Sequence, residues 1–264
     1  MIDLPIGFTH EQYCELVADA VAAFAEVARG VDPSTPIPTC PGWTLAKLVR
    51  HTGTVHRWVA HMVAELAPER TDPRTLNLAL PDDDRWLPGW LAGGGEALVE
   101  VLAAADPSAA MWAWGTDQHV AFWPRRMLHE TTVHRIDAER QPVHAQIDPH
   151  VAADGIDELF TNIPPSAAFS PAVAELHGEG SLGFLALDRS LGPNAAWLIE
   201  LDETGFDVSR TSEAAARAAD VFMSGPPDQL LLLLYGRLQN PSPGLALAGD
   251  RALVEWWLDN SSLD

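Results

Sequence analysis

Residues 124–140 read PRRMLHETTVHRIDAER, and the way this stretch is folded decides the architecture of the chain. Pro124 suits the first turn of a helix, because its missing N–H would be unpaired there anyway. Within it, HETTVH nearly spells the zinc-protease pattern H-E-x-x-H, in which two histidines one turn apart hold the metal and the glutamate between them acts as base. Here the second histidine comes one place late. On a helix of 3.6 residues per turn, His129 and His134 point about 140° apart. Glu130 and His134 form the i, i+4 pair instead, stacked on one face with Cβ atoms roughly 6 Å apart. Met127, Thr131 and Ala138 share that stripe, so the carboxylate and the imidazole face other helices rather than open water. A carboxylate in that position needs a cation or donors.

Three more helices precede this one. Thr9 can cap a helix that buries Leu16, Ala20, Ala23, Phe24 and Val27 and stops at Gly30. After the connector DPSTPIPTCPGW, Thr44 can cap a second helix running to about Ala67, before Pro68. A third is expected near residues 89–105, weakened by Gly93, Gly94 and Gly95. Four helices in the first half of the chain predict a bundle. Beyond QPVHAQIDPH the pattern changes. A short helix around VAADGIDELF is followed by GSLGFLALD, AAWLIELD and GFDVSR, which read as short strands of an antiparallel meander. DVFMSG reads as another strand, PPDQLLLLLYGR as a helix, and LALAGD with RALVEWWLDN as a last strand and helix. The expected fold class is α+β, with residues 1–148 as a four-helix bundle and residues 149–264 as a small α+β domain with an antiparallel sheet.

The 264 residues are enough to bury a sizeable core without staples. A net charge of -21 argues against nucleic acid and anionic membranes as partners. No apolar run approaches the roughly 20 residues needed to cross a bilayer, and MIDLPIGFTHEQ carries no mark of export. Cys14 and Cys40 lack C-x-x-C spacing, so reduced thiols in the cytoplasm are expected. Lys47 is the sole lysine among sixteen basic residues, the stamp of a GC-rich genome.

On the second helix Leu48, Val55, Trp58 and Met62 mark the expected buried stripe. His51 interrupts it, while His56 and His61 fall on other faces. In a bundle, ligands from facing helices converge on an interior site, so His51 could join Glu130 and His134. Two imidazoles and one carboxylate leave coordination positions open, as in a catalytic zinc site. Three hydrogen-bonded core residues would leave the same trace in the sequence. His129 is expected behind the ligands or at the surface, Arg135 and Asp137 as a polar pair, and Glu139 with Arg140 as a solvated helix end. No G-x-S-x-G, P-loop or G-x-G-x-x-G is present.

CPGWTLAKLVRHTGTVHRW on the second helix and RRMLHETTVHRIDAE on the fourth resemble the mycothiol-dependent maleylpyruvate isomerase family, whose helical part belongs to the wider DinB-like bundles. DQLLLLLYGR and GDRALVEWWL are similar to that family's second domain, so the likeness spans almost the whole chain. The resemblance implies a divalent metal, usually zinc, held by His51, Glu130 and His134. It also implies an arginine at the position of Arg237, lent by the C-terminal domain, where an arginine that only bonds carbonyls at a helix C-terminus would read the same. The cosubstrate it implies is a low-molecular-weight thiol, mycothiol, and the partner an unsaturated keto acid or another small electrophile.

The function so implied is cis-trans isomerisation, with the thiol activated as a zinc-bound thiolate. It adds next to a carbonyl, the resulting single bond rotates, and elimination returns the trans isomer. Transfer of the thiol to an electrophile would use the same site. Two other classes remain, a zinc hydrolase activating water and a non-enzymatic ligand-binding or sensor protein.

Overall fold

A computed structural model of the chain describes residues 6–192, 195–239 and 242–261. Residues 1–5, part of the stretch read for an export signal, lie outside them. The chain divides into two compact units, one formed by residues 8–141 and one built mainly from residue 142 onward.

The first unit is a four-helix bundle. Helix α1, His10–Arg29, starts in a capping box: Thr9 Oγ1 accepts from the Gln12 N–H, and Gln12 Oε1 accepts from the Thr9 N–H. Its inner face carries Val17, Val21, Phe24, Ala25 and Ala28. Helix α2, Leu45–Ala64, is capped by Thr44 and buries Leu48, Val49, Thr52, His56, Val59 and Met62. Helix α3 covers Leu87–Ala104 and helix α4 Phe122–Glu139. Helix α1 packs on α3 and α4, and α2 packs on the same pair.

Two of the glycines expected to weaken α3, Gly94 and Gly95, are what lets it approach its neighbours. A Cβ on Gly95 would stand 2.3 Å from Val21 Cγ1, and one on Gly94 2.1 Å from Arg57 Nη1. The backbone entropy that glycine costs a helix, about 1 kcal/mol, is offset by close packing. Helix α4 begins two residues before Pro124 and ends at Arg140, which takes the left-handed conformation at φ 58°. It is buried on nearly all sides, so it carries no polar stripe for periodicity to find.

The second unit opens with α5, Pro149–Ser166, capped by Asp148. The short helix expected around residues 151–160 is thus extended at its end, where Pro164 and Pro165 lie in the last turn. The one-turn helix α6, Pro171–Ala174, follows. Strands β1, Gly180–Ala186, β2, Ala196–Asp202, and β3, Gly205–Arg210, form the expected antiparallel meander. Helix α7, Glu213–Arg217, then leads to β4, Val221–Gly225. Helix α8, Pro227–Leu234, strand β5, Ala246–Gly249, and helix α9, Arg251–Asn260, complete the unit.

The strand order is β3-β2-β1-β4-β5, and β1 pairs with β4 in parallel, Leu182 opposite Val221 and Ala186 opposite Gly225. The sheet is therefore mixed, and the wholly antiparallel sheet expected from sequence is corrected at this one pair. The cause is α7, which carries the chain across the sheet before β4 starts. It lies so close to β1 that a Cβ on Gly183 would meet the Ala216 carbonyl oxygen at 2.0 Å. On the other face Phe184 and Trp197 pack against Phe160 of α5, with ring centroids 5.3 and 6.2 Å away. No helix among the described residues is long and apolar enough to cross a membrane.

Candidate metal centre

Where α2 passes α4, three side chains converge. His51 Nε2 lies 3.1 Å from Glu130 Oε1, and His134 Nε2 lies 3.2 Å from the same oxygen. All three donor atoms fall within 4.8 Å of one another. Ligands bound at 2.0–2.1 Å in a tetrahedron stand roughly 3.3 Å apart, so the spacing fits one small divalent ion. The side chains of His134 and Glu130 are 11% and 21% exposed and that of His51 38%, so the cluster is walled by protein on the α4 side and open beside His51. Trp43 covers one side of the His51 ring edge-on, at 5.1 Å between centroids.

Charge is concentrated at this point. Burial pushes the Glu130 carboxyl up, but the His134 charge, hydrogen bonds from His134 and His51, and the Arg126 guanidinium outweigh it and hold the group well below the usual carboxylate range. Arg126 Nη2 sits 3.4 Å from Glu130 Oε2. Burial alone would lower the His134 imidazole; the Glu130 charge and the hydrogen bond to Asp137 raise it to about 9. The pocket thus favours a positive charge between its carboxylates, supplied in the metal-free chain by a proton.

Several expectations are corrected here. His51 borders the buried stripe of α2 instead of interrupting it, because the centre of that stripe runs through Leu48, Thr52, His56, Val59 and Met62. Val55 and Trp58, expected inside, are half-buried. His56, expected on another face, is fully buried, with Nε2 2.9 Å from Thr131 Oγ1. Its burial lowers its pKa to about 4. His129 is fully buried, which excludes a surface role. Arg135 pairs with Glu139 one turn on, so Glu139 is not merely a solvated end. Asp137 accepts from His134 Nδ1 at 2.9 Å, from Thr39 Oγ1 at 2.6 Å and from Cys40 Sγ at 3.4 Å.

Asp137 is what sequence reasoning missed. Its i, i+3 spacing from His134 was visible, but the adjacent charge of Arg135 offered a simpler partner. A second donor group, Cys40, His134 and Asp137, also falls within 4.8 Å. It shares its imidazole with the first through the other ring nitrogen, and its carboxylate is fully buried. Arg237 belongs to the second unit, just after α8. Its Nη1 donates to the Tyr235 carbonyl at 2.7 Å and its side chain is buried.

Bundle, mixed-sheet unit and donor cluster together define a two-part protein whose helical half carries a nitrogen-and-oxygen site suited to a divalent ion. Comparison with known families makes the assignment specific. The chain belongs to the mycothiol-dependent maleylpyruvate isomerase family: residues 14–139 match the mycothiol maleylpyruvate isomerase N-terminal domain, and residues 150–255 match the MDMPI C-terminal domain. Membership places it among enzymes, with the isomerases.

Two crystal structures share the fold. One is of a histidine-to-alanine mutant of the mycothiol-dependent maleylpyruvate isomerase, with TM-score 0.61 and 14% identity over 91% of this chain and 93% of that one. The other is of the mycothiol-dependent maleylpyruvate isomerase itself, with TM-score 0.59 and 15% identity over the same shares. No curated protein matches the chain in sequence.

Proposed function

We propose that the chain is a metal-dependent isomerase that uses mycothiol to convert a cis-unsaturated keto acid of the maleylpyruvate kind into its trans form. His51, Glu130 and His134 are assigned as the protein ligands of a divalent ion, with Zn2+ the best match to two imidazoles and a carboxylate. The observation that carries this reading is the convergence of His51 Nε2 and His134 Nε2 on the single oxygen Glu130 Oε1.

A divalent ion at these donors supplies the positive field in which a thiol loses its proton near neutral pH. The chain's own residues set the rest. Glu130, with Arg126 behind it, stays ionised and unavailable as a proton carrier. His51, half open to solvent, leaves the approach for thiol and substrate on its side. The thiolate of the cosubstrate adds to the double bond next to the carbonyl, electron density moves to the oxygen as an enolate, and the former double bond rotates. Collapse of the enolate expels the thiolate and leaves the trans isomer, so no oxidant or water is consumed. Arg237 is assigned to the substrate carboxylate or the enolate oxygen. A reduced thiol cosubstrate implies the cytoplasm as the compartment.

The test is turnover of maleylpyruvate by the purified full chain, followed by NMR, with and without mycothiol and before and after chelation. The reading expects isomerisation only when thiol and metal are both present. A metal-loaded protein indifferent to mycothiol but cleaving esters or amides with water would make it a hydrolase. Accumulation of a stable thiol adduct would make it a transferase.

A further inference from the structure

Asp137 is costly where it stands. It lies in the last turn of α4, where the helix dipole favours cations, and its side chain is fully buried. Donors from three other side chains help offset this. Thr39 Oγ1 donates to Oδ1 at 2.6 Å, and His134 Nδ1 and Cys40 Sγ reach Oδ2 at 2.9 and 3.4 Å. Thr39 and Cys40 come from the connector between α1 and α2, which is itself pinned: the Trp43 N–H donates to the Cys40 carbonyl at 3.0 Å, and the Ile37 N–H to the Trp43 carbonyl at 3.0 Å. The same connector sets Trp43 against the His51 ring. One loop therefore touches both histidines of the donor cluster, one directly and the other through Asp137.

An imidazole offers a metal only the nitrogen that carries no proton, and the partner of its other nitrogen decides which one that is. We propose that Asp137, held by Thr39 and Cys40, is the positioning residue of this site: it keeps the His134 proton on Nδ1 and aims Nε2 at the ion. This inference rests on the metal-site reading given above. Its rival is a purely structural role, in which Asp137 ties the connector to the end of α4 and does nothing for the ion.

Chelator-stripped full-length protein, titrated with Co2+ against a competing chromophoric chelator, separates the two. The cobalt absorption spectrum reports ligand geometry independently of activity. Wild type is expected to bind one Co2+ per chain. Asp137→Asn is expected to weaken that binding by about 10- to 100-fold, as loss of a partner behind a ligand does, and to change the cobalt spectrum. Thr39→Val, which leaves the carboxylate in place, should shift both in the same direction by less. Wild-type affinity and spectrum in the two variants, whatever their melting temperatures, would overturn the inference and leave the metal site standing. Should Asp137→Asn not fold, wild-type behaviour of Thr39→Val alone overturns it. Absence of Co2+ binding by wild type would remove the metal-site reading and this inference with it.

Discussion

His51 Nε2 and Glu130 Oε1 stand 3.1 Å apart although 79 residues separate them in the chain, and His134 Nε2 reaches the same oxygen from one turn further along α4. The bundle brings this pair together, since α2 and α4 meet where both face inward. Glu130→Gln keeps the size of the side chain and removes its charge. It is expected to weaken Zn2+ binding by more than about 100-fold, beyond what loss of an outer partner costs. Competition with a chromophoric chelator measures it, and affinity within a few-fold of wild type would show that Glu130 is not a ligand.

His56 makes the metal-free protein sensitive to acid. In the folded chain burial holds it neutral down to about pH 4, whereas in the unfolded chain it takes a proton near 6.5. Above that value both states are neutral and His56 contributes nothing to pH dependence. As pH falls from about 6.5 to 4 the unfolded state binds the extra proton, and stability declines by about 3 kcal/mol in all. Urea unfolding of stripped wild type and His56→Gln across that window should give a shallower slope for the variant. Parallel slopes would contradict the buried, neutral imidazole.

The three glycines of α3 separate helix propensity from packing. Gly93 is exposed, with nothing within 4 Å of its would-be Cβ, so Gly93→Ala should stabilise by about 0.5–1 kcal/mol. Gly95→Ala would drive a methyl into the stiff, buried Val21 and should destabilise by about 1–3 kcal/mol. Thermal melts of the two variants should move in opposite directions. A stabilised Gly95→Ala would mean that α1 and α3 are not this close.

Arg237→Ala tests the assigned role of the second unit in catalysis. With the true substrate, kcat/KM should fall by about 100-fold, the scale of a lost oxyanion donor, while metal content stays at the wild-type level. Unchanged turnover would leave Arg237 with a structural role, such as its bond to the Tyr235 carbonyl.

The helix starts at Thr9 and Thr44 were legible because capping is a local matter of one side chain and one backbone N–H. So was the shared face of Glu130 and His134, which follows from spacing alone. Less local features were hidden. Spacing in α2 points to a buried stripe through Val55 and Trp58, whereas the stripe that is buried runs through His56, whose partner Thr131 lies 75 residues away. Asp137 is held by Thr39, 98 residues distant, and no pattern within α4 points there. The direction of β4 depends on whether the link after β3 crosses the sheet, and the five residues of α7 that do so are too few for hydrophobic periodicity to mark a helix.

The most direct measurement is the metal content of the full-length protein, wild type beside His51→Ala, purified in parallel and analysed by atomic emission. Close to one divalent ion per wild-type chain is expected and a small fraction of that in the variant, with both folded by circular dichroism. Equal metal content in the two, or none in wild type after incubation with Zn2+, would contradict a metal centre built on His51, Glu130 and His134.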